Sequence, residues 1–219
     1  MRAIVFSGPS LPLSAVPQRP DLEWRPPLRQ GDLRRAAMEG PDVLGVVDGY
    51  FDTTPTVWHE EILFALDRGI AVYGAASIGA LRAAELHVFG MQGIGRIFEW
   101  FRDGVLEDDD EVALLHGPAE LDFPALTEAM VNVRASIAEG IRSEIVESST
   151  GAAILSSAKS VFYKRRTWDG LLDDACDLGV PQEKLDRARA WLRVGRVDQK
   201  RSDARLMLDA MVQHLSARP

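Results

Sequence analysis

The sequence predicts an α/β fold: a mostly parallel sheet core covered by helices, with a helix-rich C-terminal half. Three observations lead there. Short apolar, β-rich runs recur in the N-terminal half, helical patterns lie between them, and beyond Phe123-Pro124 nearly every pattern is helical. Continuous apolar strands alternating with helices are what a parallel sheet buried on both faces requires.

The first run, Ala3-Ile4-Val5-Phe6, ends at Ser7-Gly8-Pro9-Ser10. The second, Val43-Leu44-Gly45-Val46-Val47, ends at Asp48-Gly49, and the third, Ile70-Ala71-Val72-Tyr73, at Gly74-Ala75-Ala76-Ser77. Ligands of open α/β sheets bind outside the carboxyl ends of the strands, so these three loops are expected to converge. Asp32 is expected to cap the helix that follows Pro26-Pro27, and Thr53 or Thr54 the helix carrying Val57 to Leu66. Gly90-Met91-Gln92-Gly93-Ile94-Gly95 reads as a tight turn between helices, because Phe98 stands where a dinucleotide fingerprint needs its last glycine. Later helices are expected over roughly 125–146, 151–163, 168–178, 182–194 and 198–216, the fourth after Gly179-Val180-Pro181 and the last capped by Asp198. With no repeat or long linker, a single domain 1–219 is expected, its α/β core about 1–120 and its helical remainder about 121–219.

Composition excludes several classes. The 219 residues, 46% of them hydrophobic, suffice for one sizeable core. A net charge of -8 argues against general nucleic-acid binding. No apolar run has transmembrane length and the start shows no signal-peptide pattern, so no membrane partner and a cytoplasmic location are expected. Cys176 is the single cysteine and has no internal disulfide partner. His59-Glu60-Glu61 lacks the second histidine of a zinc helix, and no Walker sequence occurs. The run Glu107-Asp108-Asp109-Asp110-Glu111 reads as an exposed acidic turn, since consecutive carboxylates point in different directions and do not meet one ion. Neither metal nor cofactor is expected.

The chemistry concentrates at Ser77. Ala75-Ala76-Ser77-Ile78-Gly79 is a small-residue variant of the Gly-x-Ser-x-Gly elbow, in which a strand turns sharply into a helix and presents a hydroxyl. Backbone N–H groups near Ile78 and Gly79, at the positive end of the helix dipole, are placed to stabilise an oxyanion there. The commoner role for a serine before a helix is the N-cap. A nucleophilic Ser77 needs a base: His59 or His116, or a desolvated lysine. The lysines are Lys159, Lys164, Lys184 and Lys200. Lys164 follows Val161-Phe162-Tyr163, an apolar neighbourhood that disfavours the ammonium, and Lys159 is the runner-up.

The order of Phe6-Ser7-Gly8-Pro9-Ser10, Asp48-Gly49-Tyr50-Phe51, Val57-Trp58-His59-Glu60-Glu61, Gly74 through Leu86, Gly90 through Gly95 and His116-Gly117-Pro118 resembles the TfuA family. Met130-Val131-Asn132-Val133-Arg134, Phe162-Tyr163-Lys164-Arg165-Arg166-Thr167-Trp168 and Asp198-Gln199-Lys200-Arg201 extend the likeness over nearly the whole chain. The resemblance implies an accessory hydrolase of ribosomal peptide backbone thioamidation, which cleaves a thiocarboxylated ThiS-like sulfur carrier through a Ser-Lys pair and releases sulfide for a YcaO partner. Ser77 would be the nucleophile and Lys164 the base. Arg82 and Arg134 are candidates to hold the negative thiocarboxylate, and Asp48 and Glu61 to orient Lys164 or a water. The chain departs from the family pattern at Arg165, where an acidic residue is expected, and at Ile78, where methionine is usual. Rival readings are a non-catalytic adaptor that activates YcaO or raises its peptide affinity, with Ser77 capping a helix, and a small-molecule serine hydrolase. A homo-oligomer remains open.

Overall fold

Five short strands pair in parallel in a computed structural model that describes residues 1–16, 18–50 and 54–217. They are β1 (Ala3–Phe6), β2 (Leu22–Arg25), β3 (Val43–Val46), β4 (Ala71–Gly74) and β5 (Gln92–Gly93), in the spatial order β2-β1-β3-β4-β5. The order reverses between β1 and β3. That reversal opens a crevice in doubly wound sheets, because the connections leave the two neighbouring strands in opposite directions. Register sharpens the point: Ala3 pairs with Val43 and Val43 with Ala71, while Phe6 pairs with Val46 and Val46 with Gly74. The three strands therefore end level, and the loops after them start side by side.

Apolar runs buried on both faces explain the central strands. Every residue of β1 and β3 is buried. β2 and β5 were not legible as strands. Leu22-Glu23-Trp24-Arg25 carries charges and buries only Leu22 fully, as an edge strand can, and β5 is two residues inside the glycine-rich segment read as a turn. The helices are α1 (Asp32–Met38), α2 (His59–Asp67), α3 (Ile78–Leu86), α4 (Arg96–Arg102), α5 (Met130–Arg142), α6 (Ser148–Ser160), α7 (Trp168–Asp177), α8 (Gln182–Leu192) and α9 (Gln199–Ala217). The expected parallel sheet and the helix-rich C-terminal half are thus both present.

Contacts divide the chain into two units. The first comprises Met1–Asp109, Gly117–Pro124 and Lys200–Pro219; the second, Asp110–His116 and Ala125–Gln199. In the first, α2 and α3 pack against β4, and α9 returns to the sheet, where Ala204, Met207, Leu208, Met211 and Leu215 join Ala3, Val5, Val43 and Tyr73 in one core cluster. In the second, α5 to α8 enclose Met130, Val133, Ile137, Ile154, Trp168, Leu171, Leu185 and Leu192.

Several local expectations are corrected. Asp32 is the first residue of α1, not its cap; Gly31 precedes the helix, and the Asp32 carboxylate accepts from Arg29 N at 2.8 Å. Thr53 lies outside the described residues, and Thr54 does not cap α2, whose N-cap position is Trp58. α5 starts at Met130 because the residues before it spend their backbone groups elsewhere: Ala125 bridges His116, and Leu126 N donates to Leu115 O at 2.8 Å. The acidic run is not one exposed turn. Glu107, Asp108 and Asp109 are exposed, whereas Glu111 is 2% exposed and paired with Arg134.

Candidate active site

The elbow after β4 is built by close approach. A Cβ at Gly79 would lie 1.8 Å from Val46 O, and one at Gly74 would lie 2.2 Å from Gly79 O, so only glycines let α3 leave the sheet this tightly. The strained residue is Ala76, at φ 65, immediately before the serine. Ser77 follows at φ -123 and ψ -126, 7% exposed, with its N–H donating to Ala75 O at 2.7 Å. Although Ser77 occupies the N-cap position of α3, its side chain makes no capping hydrogen bond. The bland role for this serine is therefore absent.

The first N–H groups of α3 are unequally placed. Gly79 N donates to Val47 O at 3.3 Å, and Ala80 N and Leu81 N both turn to Ser77 O. Ile78 N, at the helix start next to Ser77, makes no hydrogen bond among the described residues. Of the two expected oxyanion donors, Ile78 is the one left for a ligand.

One strand away, Asp48 is 2% exposed and accepts from Gly8 N and Ser10 N, each at 3.0 Å, and from Ser10 Oγ at 2.6 Å. Lys200 Nζ, on α9 and also 2% exposed, stands 4.0 Å from Asp48 Oδ1. The sequence names Lys200 only as one of four lysines and part of the Asp198-Gln199-Lys200-Arg201 run, without a role. A lysine in an amphipathic helix looks solvated, and only the fold brings it to a residue so distant in the chain.

Other expected participants have structural duties. The Glu61 carboxylate accepts from Gly31 N, Trp58 N and Arg34 N at 2.9, 3.2 and 3.3 Å, tying the starts of α1 and α2 together. Arg82 Nη1 reaches Glu85 at 2.6 Å and its Nε donates to Val57 O at 3.2 Å. His59 Nε2 meets the same Glu85 at 2.9 Å. These four residues belong to the first unit.

Lys164, Lys159 and Arg134 belong to the second. Arg134 holds Glu111 in a two-pronged contact at 2.8 and 2.9 Å, which raises the pKa of its guanidinium further. Lys159 Nζ sits 2.7 Å from Asp110 and 3.0 Å from Glu111, an environment that favours the ammonium and argues against a base. Lys164, half-buried in the turn Tyr163–Arg165, has its Nζ 5.7 Å from the Phe162 ring centre and 5.5 Å from that of Tyr163. Arg166 is fully buried, donating to Ala158 O at 2.9 Å, Asp110 at 2.9 Å and Val161 O at 3.2 Å. Burial works to raise the Asp110 carboxyl, but the hydrogen bonds from Lys159 and Arg166 outweigh it and leave the group below the ordinary carboxylate value. No group of histidine, cysteine or carboxylate side chains suited to a metal ion occurs among the described residues.

Fold and elbow together define a parallel α/β protein with an uncapped serine at the strand–helix turn of its sheet. The model of the TfuA-like protein family matches residues 48–167, more than half of the chain, and the chain belongs to that family. The match includes Asp48, Ser77 and Lys164 and ends before Lys200. No curated protein matches the chain. Among the described residues no helix is long and apolar enough to cross a membrane.

Proposed function

We propose that this TfuA-like protein is an accessory hydrolase of peptide backbone thioamidation, acting on a thiocarboxylated ThiS-like carrier and supplying sulfide to a YcaO partner. Ser77 supports the reading best: a serine at a strained strand–helix turn that does not cap its helix. A hydroxyl relieved of a structural bond, beside a helix-start N–H, suits nucleophilic attack and oxyanion stabilisation.

In this mechanism Ser77 Oγ attacks the thiocarboxylate carbonyl carbon and Ile78 N–H donates to the developing oxyanion. Lys164 takes the hydroxyl proton and passes it to the departing sulfur, which leaves as hydrosulfide while the carrier forms an ester with Ser77. Water then attacks the ester, releasing a carrier carboxylate and one proton and restoring the serine. Lys164 must be substantially neutral to serve, whereas arginine holds its proton too tightly.

The experiment is sulfide release from the thiocarboxylated carrier. Ser77→Ala is expected to lower it by at least about a thousandfold. Undiminished release would leave the adaptor reading. Lys164→Arg is expected to be nearly inactive and Lys159→Arg active; the reverse ranking would transfer the role to Lys159.

A further inference from the structure

A cavity of about 160 Å³ lies where β1 and β2 finish, and the mechanism above makes no use of it. Leu11, Leu13, Phe123 and the ring of Trp24 give it apolar walls. An engineered apolar cavity of roughly 150 Å³ holds benzene, so this one has room for a single aliphatic side chain. Its polar side chains are mostly committed. Ser7 Oγ donates to Leu11 O at 2.8 Å, Arg25 pairs with Glu23 and Glu39 at 2.6 and 2.7 Å, and the Asp122 carboxylate accepts from Leu13 N and Ser14 N at 2.9 and 3.0 Å. The exception is Trp24, whose Nε1 is buried with no hydrogen-bond partner among the described residues. A donor sealed from water in this way costs stability until an acceptor meets it.

One wall is strained. Asp122 and Phe123 stand at φ 61 and 52, left-handed at two consecutive residues, and for a bulky phenylalanine that is an outlier. Their segment is closed by Gly117 N donating to Pro124 O at 2.8 Å and tied through Asp122 to Leu13 and Ser14, so the strain is held in place. Strain of this kind collects at ligand clamps, and this wall is the part placed to give way as Trp24 Nε1 is reached.

Register places the cavity relative to Ser77. Arg25 pairs with Phe6, Phe6 with Val46 and Val46 with Gly74, so four strands end in one row. At about 4.8 Å between neighbours, the space between β1 and β2 lies about 12 Å along the row from β4, and an extended chain covers that in about four residues.

We propose that this cavity is the subsite for an aliphatic side chain in the carrier tail, about four residues before the acyl terminus attacked by Ser77, with a backbone carbonyl of the tail accepting from Trp24 Nε1. The assignment rests on the acyl-transfer reading of Ser77. An aliphatic residue in a peptide brings both things the cavity asks for, an apolar side chain and a carbonyl beside it. A charged side chain there would lose its hydration and meet Arg25 and Asp122 already engaged.

Calorimetry tests this with the carboxylate-ended ThiS-like carrier as probe for wild type and Ser77→Ala, so that binding is read apart from turnover. Leucine, alanine or aspartate is placed in turn at the third, fourth and fifth residues from the carrier terminus. At one of these positions leucine should bind roughly tenfold to a hundredfold tighter than alanine, and aspartate weaker than both. Trp24→Phe, which keeps a ring in the wall and removes the N–H, should weaken binding of the leucine carrier by about threefold to tenfold. Ala119→Phe, which sets a ring on the exposed rim of the cavity, should remove most of the leucine preference. Equal affinity for leucine and alanine at all three positions overturns the subsite and leaves Ser77 standing, as does a preference intact in both Trp24→Phe and Ala119→Phe. Sulfide release by Ser77→Ala would remove the nucleophile with the tail preference still readable, whereas no binding of any carrier by folded protein would remove the carrier reading and the subsite together.

Discussion

The two units handle buried polar groups in opposite ways. At the strand ends of the first, Asp48 is satisfied mainly by backbone N–H groups of a loop, and small residues crowd the chain until one serine hydroxyl is left without a capping bond. In the second, charges satisfy one another: Asp110 meets Lys159 and Arg166, and Glu111 meets Lys159 and Arg134. A backbone cradle leaves side chains available for chemistry. A charge network commits them to stability, since removing any member exposes its partner to an unpaired burial. Changes in this charge network should accordingly be read in folding, and changes at the elbow in activity.

The largest folding effect is expected from Arg166→Met. The guanidinium is fully buried and bonded to two carbonyls and Asp110, so its loss should cost about 3 kcal/mol, the low end for a broken buried pair because Asp110 is 34% exposed. Urea unfolding measures it. A cost below about 1 kcal/mol would show that the network contributes no more than a surface pair.

A smaller, pH-dependent effect belongs to Asp110. Its folded-state pKa lies below the ordinary 3.8, so it adds stability above that value, and the addition is lost as pH falls through the lowered one. Asp110→Asn should be less stable than wild type at neutral pH and should lose less on acidification. Parallel stability profiles of the two proteins below about pH 5 would contradict this.

The smallest folding effect should come from Ser77→Ala. An N-cap serine is worth about 1 kcal/mol, but this one makes no capping bond, so the change should stay within about 0.5 kcal/mol. Thermal unfolding of the variant used for sulfide release provides the check. A loss near the full N-cap value would return the hydroxyl to a structural role and erase the contrast with the second unit.

Legibility in the sequence followed burial. β1, β3 and β4 were readable because each is apolar throughout, while β2 hid behind Glu23 and Arg25 on the sheet edge and β5 behind glycines. The elbow was readable as a pattern of small residues. That Ser77 leaves its helix uncapped, that Ala76 carries the positive φ, and that Gly79 N turns to Val47 O were not, since each depends on where β3 ends beside β4. Met207 and Met211 on α9 are both fully buried against the sheet, so cutting away α9 would uncover a face of the core.

By itself, then, the sequence determined the parallel sheet, the helical second half, the serine turn and the family to which the chain belongs, because these rest on local periodicity, small-residue spacing and motif order. Only the tertiary structure decided that α9 returns to the first unit and carries Lys200 to Asp48, and that Asp110 and Glu111 turn inward to basic partners. Neighbours so far apart in the chain are chosen by which apolar face covers which. A charged residue then finds its partner wherever that packing leaves it.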